Sequence, residues 1–142
     1  RHRIGRQLAG VMPAHVCYRN IDPHPAGFSN FWLQDVLRQR LGFQGVIFSD
    51  DLTMEGATVV GGIQARAEAA HRAGCDMVLV CNRPDLAEEL LQGWQPVQEA
   101  ASAARIAALK AQARFGDIYA LELNPVYRQA RERVWAHTAA AG

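Results

Sequence analysis

The sequence has no run of like charges, no long apolar stretch and no paired cysteines, and each absence removes a class of function. With 15 Lys and Arg against 14 Asp and Glu, its 142 residues carry a net charge of +1. Nucleic acids and anionic membranes select clustered cations, so neither is an expected partner. Nothing approaches the roughly 20 consecutive apolar residues that cross a bilayer. The basic opening Arg1-His2-Arg3-Ile4-Gly5-Arg6 leads into no apolar signal core, and a cytoplasmic location is expected. Cys17, Cys75 and Cys81 form an odd set without a CxxC pair, which argues against a disulfide framework and a thiolate metal site. They read as small buried apolar residues. What is present, 49% hydrophobic and 20% charged residues, suits one ordinary globular domain. The chain starts at Arg1, with Ile4 to Val11 already approaching a strand, so it is expected to be part of a longer protein.

Three strand and helix alternations follow one another. The run Leu8-Ala9-Gly10-Val11-Met12-Pro13 is short and closed by proline, as a buried strand would be. After the turn-rich 20–27 stretch, Ser29 can cap a helix whose apolar positions Phe31, Trp32, Val36, Leu37 and Leu41 recur at helical spacing up to Gly42. The β-branched run Phe43 to Phe48 predicts a second strand, halted at Ser49-Asp50-Asp51. A glycine-containing loop leads to a helix over Ile63–Ala73, stopped by Gly74. Asp76 to Cys81 predicts a third strand, covered on both faces, and Pro84 opens a helix over Asp85 to Gln92. From Val97 to Arg114, and from Asn124 to about Ala139, the pattern is helix without strand. The division expected is therefore 1–95 for the strand-helix units and 96–142 for a C-terminal helical extension.

Parallel strands joined by right-handed crossovers make either a small doubly wound sheet or part of a (β/α)8 barrel, of which a whole one takes about 250 residues. Both collect ligands at the C-terminal ends of the strands. Those ends are His15, Ser49-Asp50-Asp51 and Cys81-Asn82, which should share one rim. Alternation sends Asp50 and Asp51 to different sides, so they do not form one carboxylate pair. A carboxylate at such a rim can be a nucleophile, a general base or a ligand for a hard cation. The plainer alternative is that Asp51 caps the next turn and Asp50 is solvated. His15 can donate to a substrate hydroxyl or steady a carboxylate, or serve only as a structural hydrogen-bonding residue. His24, His71 and His137 lack spaced partners and read as solvent-facing, so no metal constellation emerges. Phe31, Trp32 and Leu37 read as core, and Arg66, Arg72, Arg105 and Arg114 as helix faces.

The string Leu41-Gly42-Phe43-Gln44-Gly45-Val46-Ile47-Phe48-Ser49-Asp50-Asp51-Leu52-Thr53-Met54-Glu55-Gly56-Ala57, with Val11 to Val16, Asp22-Pro23, Pro25-Ala26 and Ala73 to Asn82, resembles glycoside hydrolase family 3. Within it the likeness is to the bacterial β-N-acetylglucosaminidases (β-hexosaminidases) of peptidoglycan recycling. It covers roughly residues 8 to 95. The resemblance implies the C-terminal part of a (β/α)8 barrel, strands six to eight, followed by a helical tail. It implies a retaining glycosidase acting on N-acetylglucosamine-containing muropeptides or oligosaccharides, without cofactor or metal. Asp50 matches the family's catalytic nucleophile, and His15 and Met54 are candidates for substrate binding. The family's acid/base histidine, the aspartate that orients it and its Lys-His sugar-binding motif belong to upstream segments absent from this sequence. Glu55 reads as a surface acid rather than a substitute for them. Residues 1–142 alone are expected to be inactive, because the preceding barrel strands are needed. The SDDLxM form favours N-acetylglucosaminidases over the family's β-glucosidases. The competing reading from the residues is a small non-catalytic α/β binding module, with an acidic cation or partner site at Asp50-Asp51.

Overall fold

A computed structural model describes residues 8–97, 99–110 and 116–139. The chain divides into two compact units, Arg1–Lys110 and Ala111–Gly142. In the first, strands β1 (Gly10–Val11), β2 (Val46–Asp51) and β3 (Met77–Leu79) alternate with helices α1 (Phe31–Arg40), α2 (Ile63–Ala73) and α3 (Pro84–Gly93), and α4 (Ala100–Ala108) follows. The sheet order is β1-β2-β3 with both pairs parallel. This is the α/β arrangement with a parallel sheet that the alternating pattern predicts.

The register pairs Gly10 with Val46 and Val11 with Ile47, and Phe48 with Met77. Strand β2 begins and ends three residues later than the apolar run suggests, so Ser49, Asp50 and Asp51 are its last residues rather than its stop signal. The reason lies in the side chains. Ser49 Oγ accepts the Leu79 N–H at 2.9 Å and an Asp51 carboxylate oxygen accepts the Cys81 N–H at 3.0 Å. Polar residues thus continue the pairing that hydrophobic ones begin.

One core joins sheet and helices, built around Leu33, Phe43, Ile47, Leu52, Ile63 and Leu90. The alanines of α2 make close approach possible: Ala67, Ala70 and Ala73 are buried on one face at helical spacing. Gly74 ends α2 with φ +113°, a conformation natural only to glycine, and its N–H satisfies the carbonyls of Ala70 and His71. Helix α1 is wound more widely than its side-chain spacing suggests, closing with a bond from Leu41 N–H to Val36 O at 2.9 Å. Ser29 caps it as expected, its hydroxyl accepting the Trp32 N–H at 3.1 Å.

At the N-terminal end of the sheet Asp76 is a buried ionic centre. It accepts from the Ile47 N–H at 2.9 Å, from Arg38 at 2.8 Å and from Arg105 at 2.6 Å, with 2% of its side chain exposed. Arg105 is therefore no mere helix face. It carries α4, which lies beyond residue 95, back onto the strand-helix units. Arg66 likewise reaches inward, to the carbonyls of Leu52 and Gly61. Arg114 lies outside the described residues.

Cys75 is buried, and burial pushes its thiol up to about 12, so it behaves as a small hydrophobe. Cys17 is exposed and Cys81 half-buried, a departure from the expectation for all three. His71 also departs, being half-buried edge-on to Trp94 at 5.9 Å, whereas His24 and His137 are exposed.

The second unit holds α5 (Ile118–Leu123) and α6 (Pro125–Ala139). Asp117 accepts the Ala120 N–H at 2.8 Å to start α5, which no periodicity announced. Asn124 accepts from Val126 and Tyr127 to start α6, the helix that Asn124-Pro125 predicts. Among the described residues, no helix is long and apolar enough to cross a membrane.

Candidate active site

The C-terminal end of the sheet gathers the predicted rim. Ile47 belongs to the core beneath the helices, and alternation puts Val46 and Phe48 on the opposite face of β2, where the Phe48 ring lies so near Gly10 that a Cβ there would come within 2.8 Å. Beyond Phe48 the pairing with β3 shifts register, and Asp50 stands within that shift, half-buried, at the C-terminal tip of the central strand. One of its oxygens, Oδ1, accepts the Asp51 N–H at 2.8 Å.

Asp51 is used differently. Its carboxylate accepts the Thr53 N–H at 2.9 Å, the Thr53 hydroxyl at 2.7 Å and the Cys81 N–H at 3.0 Å. Burial alone would raise its carboxyl, but these three bonds and the nearby His15 hold it below the usual carboxylate value. The turn-capping role expected of Asp51 is present, and both its oxygens are engaged.

His15 is wedged at the same rim. Its Nε2 lies 3.2 Å from the Asp51 carbonyl oxygen, to which it donates. The ring stacks on Phe28 at 4.7 Å. Glycines pack against it on two sides: a Cβ at Gly56 would come within 3.0 Å of the His15 Cβ, a tight contact, and one at Gly27 within 3.4 Å of Nδ1. Nδ1 is buried with no partner among the described residues. Met54 follows at the rim with an exposed side chain, its N–H donating to the Asp51 carbonyl at 3.1 Å. Glu55 is exposed, at the start of the short 3₁₀ helix Glu55–Val60.

The loop from β1 to α1 is fastened by a residue that the sequence argument did not single out. Asp22 is buried and accepts the Ser29 hydroxyl at 2.6 Å, the His24 N–H at 2.7 Å and His24 Nδ1 at 2.9 Å. The Ser29 hydroxyl first, then the His24 N–H, hold its carboxyl below the usual value. The Asx-type pattern Asp22-Pro23-His24 was the available signal.

This geometry belongs to a shared architecture. Residues 1–116 match the model of the glycosyl hydrolase family 3 N terminal domain. The chain belongs to glycosyl hydrolase family 3. Among curated family 3 relatives, the beta-hexosaminidase of Aromatoleum aromaticum is 69% identical over 134 residues, which are 94% of this chain and 38% of that protein. The beta-hexosaminidase of Methylobacillus flagellatus is 52% identical over 134 residues, with the same coverage of 94% and 38%. Among solved structures, NagZ from Neisseria gonorrhoeae in complex with N-trifluoroacetyl-D-glucosamine superposes with a TM-score of 0.79 at 42% identity, covering 92% of this chain and 37% of that one. The chain thus spans little more than a third of the length of these family 3 relatives.

Proposed function

We propose that this chain is the last three strand-helix units of a (β/α)8 barrel, with a helical extension, from a retaining β-N-acetylhexosaminidase. The enzyme removes terminal β-linked N-acetylglucosamine from muropeptide fragments in cell-wall recycling, in the cytoplasm. The observation that carries the reading is Asp50: a half-buried carboxylate at the C-terminal tip of the middle parallel strand, the end of the sheet where barrel enzymes do their chemistry. The high identity to beta-hexosaminidases supports the reaction class, and the N-acylated glucosamine bound by the Neisseria relative supports the sugar.

In the proposed reaction the free oxygen of the Asp50 carboxylate attacks the anomeric carbon as the bond to the leaving oxygen breaks. That oxygen takes a proton from a general acid supplied by the preceding part of the barrel. Water, giving a proton back to that same group now acting as base, then attacks the anomeric carbon and breaks the glycosyl-enzyme ester, returning the β configuration and the free carboxylate. Oδ1, already bonded to the Asp51 N–H, keeps the attacking group oriented. His15 and Met54 line the rim beside it, His15 by fixing the backbone and Met54 by its exposed side chain. No cofactor or metal enters this chemistry.

The test replaces Asp50 with Asn in the full-length protein that carries this sequence. Turnover of 4-nitrophenyl N-acetyl-β-glucosaminide is expected to fall to background while the melting temperature holds. Undiminished turnover would remove Asp50 from the mechanism and the proposal with it.

A further inference from the structure

The ladder between β2 and β3 slips between Phe48 and Asp51, and the proposed nucleophile sits inside the slip. Here amides at the end of β3 and just beyond it are taken by β2 side chains: Leu79 N–H by Ser49 Oγ at 2.9 Å and Cys81 N–H by Asp51 Oδ1 at 3.0 Å. Asp51 uses every polar handle it has. Its N–H donates to Asp50 Oδ1 at 2.8 Å, and its carbonyl accepts from Met54 N–H at 3.1 Å and meets His15 Nε2 at 3.2 Å. Its carboxylate holds Thr53 twice and Cys81 once. A residue that only capped the turn would need Thr53 and Met54 alone. The carboxylate bond to Cys81 instead ties the tip of β2 to the segment that follows β3, while the main-chain carbonyl meets His15 of the loop that follows β1.

We infer that Asp51 is a positioning residue for Asp50: its carboxylate fixes the tip of β2 to the turn at Thr53 and to the segment that follows β3, so that the Asp50 carboxylate is held by one oxygen and offers the other to the anomeric carbon. The inference rests on Asp50 being the nucleophile. Loss of the carboxylate frees Cys81 and Thr53 N–H groups and lets the strand tip shift. A displacement of about 1 Å in a reacting group can cost about 100-fold in rate.

The experiment compares Asp51→Ala, Asp51→Asn and Asp50→Asn in the full-length protein, measuring kcat and KM with 4-nitrophenyl N-acetyl-β-glucosaminide below each variant's melting transition. For Asp51→Ala, kcat is expected to fall about 10- to 100-fold with KM changed less than about twofold, the signature of a group that acts on the transition state rather than on binding. Asp51→Asn keeps acceptors for the two N–H groups but not for the Thr53 hydroxyl, so it should recover part of the loss and still fall several-fold short of the parent. Unchanged kcat in both variants, or in Asp51→Asn alone should Asp51→Ala fail to fold, overturns the assignment. So does a loss confined to KM, or one that disappears on cooling as folded protein is regained. An active Asp50→Asn enzyme would instead overturn the nucleophile reading, whatever Asp51 does.

Discussion

Asp76 shows how much one side chain can hold at the end of the sheet away from the rim. Burial alone would raise its carboxyl, but Arg105, the Ile47 N–H and Ser102 together hold it below its ordinary value of 3.8. The folded protein therefore binds fewer protons here than the unfolded chain. The contribution is complete above the ordinary value and is lost as pH falls through the lower folded value. Stability in the full-length protein should accordingly drop below about pH 4, and an Asp76→Asn variant should flatten that acid limb in a pH series of denaturant titrations. At neutral pH, Asp76→Ala leaves Arg38 and Arg105 partly buried without their counter-ion, and a loss of about 3–5 kcal/mol is expected. A loss under about 1 kcal/mol, the range of exposed pairs, would show that the arginines find other partners.

At the scale of elements, the join between β1 and β2 depends on the absence of a side chain at Gly45. A Cβ there would lie 2.5 Å from the Ala9 carbonyl oxygen and 2.8 Å from that of Leu8, both main-chain atoms that no rotamer change can move. Gly45→Ala should cost about 1–3 kcal/mol, read as a lower denaturant midpoint. An unchanged midpoint would mean that the segment before β1 yields freely. The elements were legible where their signal is local. The α2 helix runs over Ile63–Ala73 as its alanine-rich pattern and Gly74 predict, and Pro84 and Asn124 mark the starts of α3 and α6. Strand limits were less so. The extension of β2 through Ser49, Asp50 and Asp51 depends on side-chain bonds to β3, residues about 30 positions away, and no window along the sequence contains both partners. The reach of Arg105 to Asp76 was hidden for the same reason, whereas the wide winding of α1 is local and simply leaves no mark on its side-chain spacing. At the rim, position and the family string marked Asp50, and alternation separated it from Asp51. The fastening of Asp51 to Cys81 and of His15 to the Asp51 carbonyl required the folded chain.

For the molecule as a whole, among the described residues β1 and β3 each pair on one side only, and Leu8, Met12 and Met77 are exposed around them. Open parallel edges with apolar neighbours invite association. Residues 1–142 produced alone should bind a hydrophobic dye, elute as more than a monomer and hydrolyse no aryl N-acetylglucosaminide. A soluble monomer with a sharp thermal transition would count against the barrel reading. The ion cluster at Asp76 also sets an order of events at the ribosome. Strand β3 is complete by Leu79, yet one of the two cations on Asp76 resides at position 105, 29 residues further along. At synthesis rates of about 5–20 residues per second, that carboxylate waits roughly 1.5–6 seconds for its second partner to be made, and longer for it to clear the exit tunnel. Nascent chains stalled before residue 105 should therefore leave β3 open to protease, and chains stalled well beyond it should not.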